Sequence, residues 1–459
     1  MENLVVELSK YIIIILFAIY TIYSFTAFRG SNKNRKNRIY RKQVTIMIMI
    51  HLICYLLLYL NTQNIKILIL YAAELAFIIM ALTLYQLVYK KLSRLILNNM
   101  LMLLVISFVM LTRISFDSAI RQFGIVCAST LLCLVVPILI DKFRYFDRMG
   151  WIYAIIGIIF LLLVFVVGEE KNGAKNWIDI AGFGLQPSEF VKIIFVFFAA
   201  ALLAKTTKFM DVVKITAVAA VYVLILVVEK DLGAALIFFV TYLAILYVAS
   251  TNPLYMISGL VSGSLAACVA YKLFYHVRVR VAAWKNPWSD INDKGYQIAR
   301  SLFAIGTGGW FGMGLGKGLP TSIPVVESDF IFSAISEELG GIFATCIILV
   351  YISCFIMFIN ISMKMKRQFY KLVALGLSII YIFQVFLSIG GVTKFIPSTG
   401  VTLPLISYGG SSVLSIILLF SIIQGLYVLN QDEDENIEKG KRKKSVQQPR
   451  QDGEQYQEG

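Results

Sequence analysis

Asp329 is the residue of this chain most open to a reading as general base. It stands in Glu327-Ser328-Asp329-Phe330, directly ahead of the apolar run Phe330-Ile331-Phe332. A carboxylate at the mouth of a cavity and partly desolvated there holds its proton in the range a base needs. The plainer reading is that Ser328 or Asp329 caps the helix that follows. Earlier in the same stretch come Arg278-Val279-Arg280 and Trp284-Lys285-Asn286-Pro287-Trp288. Arginine forks match phosphate oxygens, and indoles stack on sugars or settle in a membrane interface. The arginines therefore point to a phosphate-bearing lipid headgroup or a sugar, while an aromatic belt alone would account for the tryptophans.

Four further stretches carry groups that could do chemistry. The first runs Gly173-Ala174-Lys175-Asn176-Trp177-Ile178 and then Gln186-Pro187-Ser188-Glu189-Phe190-Val191-Lys192. Pro187 suits a first helical turn, and Glu189 and Lys192, three apart, share one face. They form either a structural ion pair or part of a polar cavity at the mouth of a span. Second, Glu229-Lys230-Asp231-Leu232-Gly233 places Asp231 where a helix N-cap belongs. Third, Glu337-Glu338 sets two carboxylates pointing in different directions inside an apolar run, so that one is expected to face a polar interior. Last, Pro397 to Ser412, which includes Ser407, breaks a hydrophobic segment with two prolines and three glycines. Membranes tolerate such breaks only where the backbone lines a cavity or packs on protein. The glycine run Gly306–Gly318 fails as a nucleotide loop, because Gly316-Lys317 is followed by Gly318 where Ser or Thr is required. Its glycines fit a tight backbone path or a re-entrant element better.

The elements that must position these groups are membrane helices. Of 459 residues 59% are hydrophobic, more than a soluble fold of this size hides. Runs of about 20 apolar residues occur thirteen times, centred near Leu16, Ile53, Ile79, Val105, Leu132, Phe160, Phe197, Leu224, Val240, Leu260, Leu349, Ile380 and Leu418. Between the last two groups of spans lies the large loop 276–330, expected to be irregular. The formal charge of +15 sits mainly in short loops: one set carries 20 Lys/Arg and the opposite set eight. The positive-inside rule then predicts an outside N-terminus, a cytoplasmic C-terminus and an extracellular loop 276–330, with no nucleic acid needed to explain the charge. Six cysteines without a CxxC pair and two histidines support neither a disulfide framework nor a zinc site. The first apolar run lacks the basic lead and small-residue site of a cleavable signal. From Asn430 the chain turns charged and Gln-rich, which predicts a disordered cytoplasmic tail.

Taken together the four motif blocks resemble the SEDS family (shape, elongation, division and sporulation; FtsW, RodA and SpoVE). The carriers are Gly-Ala…Trp177…Gln-Pro-Ser-Glu189…Lys192, Asp231-Leu-Gly, Asn-Pro-Trp…Gly-Tyr-Gln…Ser-Asp329-Phe-Ile-Phe…Glu-Glu338-Leu-Gly, and Thr-Gly-Val-Thr-Leu-Pro-Leu-Ile-Ser407-Tyr-Gly-Gly-Ser-Ser, in the family's order. Asn176 stands where an arginine is usual, and Lys230 replaces a usual proline. The resemblance implies an all-α polytopic membrane protein with a ten-helix core at 93–430, preceded by a three-helix extension at 1–92 and followed by the tail 431–459. It implies a peptidoglycan glycosyltransferase that polymerises lipid II on the outer face of the cytoplasmic membrane, in division, elongation or sporulation. Asp329 matches the family's essential aspartate and is assigned as base. Arg278, Arg280 and Lys192 are the candidates for holding pyrophosphate, and Glu189, Trp177, Asp231, Glu338 and Ser407 complete the substrate-binding set. No metal-binding residues are assigned, although Mg2+ or Mn2+ could assist at the pyrophosphate. Expected partners are lipid II, the undecaprenyl-linked glycan and a class B penicillin-binding protein; the chain lacks the Ser-x-x-Lys of a transpeptidase. The rival readings are a lipid II flippase and a non-catalytic scaffold for a transpeptidase.

Overall fold

In hydrocarbon every backbone group must find its partner within the protein, and the apolar runs of this chain meet that requirement as helices. The structure is a computed structural model describing residues 2–29, 32–143, 145–171, 174–180, 183–291, 293 and 295–447. Gly173 and residues 448–459 lie outside the described residues. The helices are α1 (Glu2–Thr26), α2 (Lys33–Thr62), α3 (Ile65–Val88), α4 (Arg94–Ile114), α5 (Phe116–Cys133), α6 (Val136–Lys142) and α7 (Gly150–Val167). Three short antiparallel strands follow: β1 (Glu169–Lys171), β2 (Ala174–Ile180) and β3 (Phe183–Leu185), in that spatial order. Next come α8 (Pro187–Leu203), α9 (Phe209–Val228), α10 (Leu232–Ser250), α11 (Pro253–Leu273), α12 (Tyr275–Lys285), α13 (Tyr296–Gly308), α14 (Ile331–Lys364), α15 (Gln368–Val392) and α16 (Gly410–Gln447).

Among the described residues twelve helices are long and apolar enough to cross a membrane, α5 and α6 together forming one span. The remaining run expected from the sequence, around Phe197, is α8, with 17 residues. Each of the thirteen runs is therefore a helix. The large loop departs from expectation, since α12 and α13 fold much of it into helix. In α13 the buried Ile298, Ser301, Ala304 and Gly308 recur three or four apart, with Ala299 beside them, a helical stripe masked in the sequence by flanking Trp, Pro and Gly. The last helix also runs past the expected boundary at 431 to Gln447. Glu, Lys and Gln propagate a helix well once a membrane span has nucleated it.

The centre of the bundle is α4, buried at every residue from Leu95 to Thr112. The first three helices attach to it and to α14. Tyr20 donates to Asn99 Oδ1 at 3.1 Å, and Tyr55 pairs with Thr112 at 2.9 Å. Phe17 meets Phe343 with ring centroids 4.3 Å apart. Between α2 and α3 the fully buried His51 and Glu74 join at 3.0 Å, a polar contact the membrane interior permits only when both groups find a partner. At one end of the bundle Lys10 and Asn61 reach the loop 276–330. At the other end Lys91 bonds Asp432, at 2.5 Å, and Glu435, and Lys366 bonds Asp434 at 2.9 Å.

α14 is interrupted at Gly340, where φ 85° and ψ 167° belong to a region essentially closed to residues with a Cβ. The glycine-rich run fills the break. Met313 and Gly314 N–H donate to the carbonyls of Glu337 and Glu338 at 2.9 Å, and Gly341 N–H donates to Gly309 O at 2.8 Å. A Cβ on Gly340 would stand 2.4 Å from Gly312 N. Gly340→Ala is expected to destabilise the protein by about 2 kcal/mol or more, seen as a lower Tm in detergent. An unchanged Tm would mean that the break is not required.

Candidate active site

Asp329 sits at the end of the large loop, one residue ahead of the N-cap of α14, and its backbone is pinned on both sides. Its N–H donates to Val325 O at 3.2 Å, Tyr408 N–H donates to Glu327 O at 2.7 Å, and the Ser407 hydroxyl bonds Ser328 O. The carboxylate looks onto Gly400: a Cβ built there would lie 3.4 Å from Asp329 Oδ2 and 3.8 Å from Arg280 Nη2. Gly400 has φ 70°, a left-handed conformation that glycine takes freely, and its missing side chain leaves the space the two charged groups share. Arg280 arrives from α12 and donates Nη1 to Thr399 O at 3.0 Å, while Trp284 Nε1 donates to Lys394 O at 3.2 Å. Burial pushes the Asp329 carboxyl above the usual range, opposed by its bond to Ser328 and by the charge of Arg280. Burial pulls the Arg280 guanidinium down from its usual value, opposed by Asp231 and Asp329. A base and a cation thus face one another with their charges mutually supported.

Asp231 both caps α10 and gathers its surroundings. Oδ1 accepts from Ala234 N–H at 3.0 Å. Oδ2 accepts from Asn176 at 3.1 Å, Gln186 at 2.9 Å and Ser188 at 3.4 Å. Asn176, at the position where the resemblance leads one to expect arginine, donates to this carboxylate. Beside it Glu229 is 2% exposed, with neither carboxylate oxygen bonded among the described residues. Burial, reinforced by Asp231, pushes its carboxyl up to about 8.

The other expected residues are distributed more widely. Lys192, 3% exposed, donates to Glu189 Oε2 at 2.5 Å and to Gln384 Oε1 at 2.9 Å, and Ser415 donates to the same Glu189 oxygen at 2.8 Å. Gln384 in turn donates to Thr402 O at 3.2 Å. The pair is an internal tie between α8, α15 and the broken segment 397–412. Glu338 is fully buried and bonded to Arg113 Nε at 3.0 Å and to Gly316 N–H at 3.0 Å, which makes it an anchor of the glycine run. Ser407 is 1% exposed and committed to backbone. Trp177 lies half-buried on β2. Arg278 is exposed, its guanidinium 5.8 Å from the Tyr275 ring; two residues from Arg280 on a helix, it faces elsewhere. Asp329, Arg280 and Asp231 are brought together, whereas Arg278, Lys192 and Glu338 stand apart from them.

Three polar residues that the motifs did not single out also shape the site: Gln384, Arg113 and Gln122, which spans Ser407 O at 3.0 Å and Gly409 N–H at 3.3 Å. Each was signalled only as a lone polar side chain in or at the end of an apolar run. Among the described residues no three His, Cys, Asp or Glu side chains are grouped as a metal ion would need.

Residues 92–431 match the family model described as cell cycle protein, comprising FtsW, RodA and SpoVE. The peptidoglycan glycosyltransferase RodA of Mycobacterium tuberculosis (strain H37Rv) is 39% identical over 309 residues, covering 63% of this chain and 66% of that relative. Stage V sporulation protein E of Bacillus subtilis is 33% identical over 291 residues, covering 61% and 79% respectively. The chain therefore spans just under two thirds of the length of the mycobacterial RodA it matches. Among solved structures, a chain of a peptidoglycan synthase complex that coordinates polymerization and crosslinking superposes with TM-score 0.64 at 23% identity, covering 74% of this chain and 98% of that one. The crystal structure of the rod shape determining protein RodA of Thermus thermophilus gives 0.56 at 22% identity, covering 73% and 96%. At that identity these two matches speak for the fold.

Gln384→Leu would remove one of the two acceptors of Lys192 Nζ and the side-chain donor to Thr402 O inside the bundle. It is expected to cost about 1–3 kcal/mol, measured as a Tm decrease in detergent, with an unchanged Tm counting against the internal tie.

Proposed function

The chain belongs to the FtsW, RodA and SpoVE family of cell cycle proteins, and from that premise we propose that it is a peptidoglycan glycosyltransferase polymerising lipid II. The observation that carries this reading is the meeting of Asp329 and Arg280 over the bare backbone of Gly400. Residues 93–430 form the catalytic core, with 1–92 and 431–459 as appended segments. The distribution of basic loops favours an extracellular loop 276–330 and a cytoplasmic C-terminus in the bacterial plasma membrane. A monofunctional class B penicillin-binding protein is the partner that would cross-link the product.

In the reaction the 4-hydroxyl of the acceptor's N-acetylglucosamine attacks the anomeric carbon of the lipid-linked muramyl sugar. The new O4–C1 bond forms as the C1–O bond to pyrophosphate breaks, the bonding pair leaves on undecaprenyl pyrophosphate, and the α linkage inverts to β. Asp329 takes the hydroxyl proton and later passes it to water. Arg280 offsets negative charge as it develops on the leaving group. Arg278, exposed beside it on the helix, is free to meet a phosphate at the membrane surface. Lys192, Glu189, Glu338 and Ser407 serve by fixing the walls, and Asp231 by fixing the 174–188 segment against α10.

Asp329→Asn is expected to lower polymerisation of lipid II by purified protein in detergent by at least about 10²-fold. Normal polymerisation by this variant would end the proposal. Detergent also separates a polymerase from a flippase, since transport has no meaning without a bilayer. The direction of the Asp329 shift sets the pH dependence. The base is active when deprotonated, so the rate falls as pH drops through its raised pKa, and the acidic limb should lie above that of an ordinary carboxylate. Arg280→Met removes a charge that holds the pKa down, and should move the limb to still higher pH. Movement the other way would show that Arg280 does not act on this carboxylate.

A further inference from the structure

The glycine run is held from outside the family-matched segment. Residues 92–431 match the family, yet α1 and α2, which precede that segment, reach the glycine run directly. Tyr11 packs on Phe311 with ring centroids 5.5 Å apart, and Lys10 Nζ lies 3.5 Å from Gly312 O. Asn61, at the end of α2, donates Nδ2 to Leu315 O at 3.2 Å, and a Cβ on Gly316 would strike that amide at 2.3 Å. α1 and α2 are themselves tied to the bundle through Phe17–Phe343, Tyr20–Asn99 and Tyr55–Thr112.

What they hold is a closed circuit of backbone. The chain leaves the glycine run at Leu319, whose N–H donates to Glu337 Oε1 at 3.2 Å, and proceeds to Asp329. It then enters the first half of α14, which ends at the carbonyls of Glu337 and Glu338, bonded back to Met313 and Gly314. Asp329 lies on this circuit between Leu319 and the first half of α14, and Tyr11 and Asn61 touch its base, the stretch from Phe311 to Leu315. Movement of the base is therefore carried to Asp329 by a short helix and a pinned loop.

We infer that the first two helices are a brace for the catalytic loop, with Tyr11 and Asn61 as positioning residues that hold Asp329 in its working place by fixing the glycine run. The inference rests on the proposed glycosyl transfer for its consequence, but its structural half can be read without activity.

The test uses the full chain in nanodiscs, comparing wild type, the double variant Tyr11→Ala/Asn61→Asp, and Leu87→Ala on the exposed face of α3 as control. Asn61→Asp keeps the size and removes the donor, so folding is spared. Hydrogen exchange of the amides from Met313 to Leu319 should accelerate about tenfold in the double variant and stay unchanged in the control. Unchanged exchange in the double variant overturns the brace. With lipid II as substrate, kcat should fall about fivefold or more with KM little altered, and Tyr11→Phe, which keeps the ring, should retain wild-type kcat. A loosened glycine run with undiminished kcat overturns the positioning role. If the wild type itself fails to polymerise lipid II, the glycosyltransferase reading falls, and the exchange measurement alone decides the brace.

Discussion

Backbone that leaves a helix inside a membrane must find new partners, and the interruption of α14 at Gly340 is where this requirement shapes the molecule most. The carbonyls of Glu337 and Glu338 and the N–H of Gly341 are answered by the glycine run 309–314, where Gly312 and Gly340 let the two main chains approach too closely for a Cβ at either position. The carboxylates of the same two glutamates then hold Leu319 and Gly316 N–H. One break therefore folds the second half of the large loop and sets the point from which the chain departs toward Asp329. Arg113, bonded to both Glu338 and Gly318 O, ties this arrangement to the buried helix α4.

The site shows a division of labour among its charges. Lys192 with Glu189, and Arg113 with Glu338, are consumed in holding helices and loops together. Asp329 is instead held mainly through the backbone around it, by Tyr408 and Ser407, while Arg280 commits Nη1 to Thr399 O and leaves Nη2 toward Gly400. That is what a reacting group requires: rigid attachment with the functional atoms left toward open space. The bare surface of Gly400 supplies that space.

The thirteen apolar runs were legible as helices, twelve of them long enough to span, because apolar length is a strong signal that tertiary context rarely overrides. Asp231 was rightly read as a cap, but its second role, gathering Asn176, Gln186 and Ser188, depends on a hairpin of strands whose placement no local pattern reveals. Asp329 owed its prominence to family resemblance more than to its neighbours, since Ser-Asp ahead of an apolar run also spells a helix start. Arg278 and Arg280 looked equivalent in sequence and were separated only once α12 proved helical, turning one inward and the other to the surface. Lys192 carried the right charge for pyrophosphate, yet its burial against Gln384 could not be foreseen from a glutamine within an apolar run.

The ion pairs from Lys91 to Asp432 and Glu435 join the two boundaries of the family-matched segment, which begins at residue 92 and ends at residue 431. The ends of the core thus meet at one corner of the bundle. A module whose two ends emerge side by side can accept additions at either end without any strand of chain crossing its working face. Three helices added before it and a charged helix continued after it both depart from this shared corner, leaving the opposite surface, with Asp329, unencumbered by the joins.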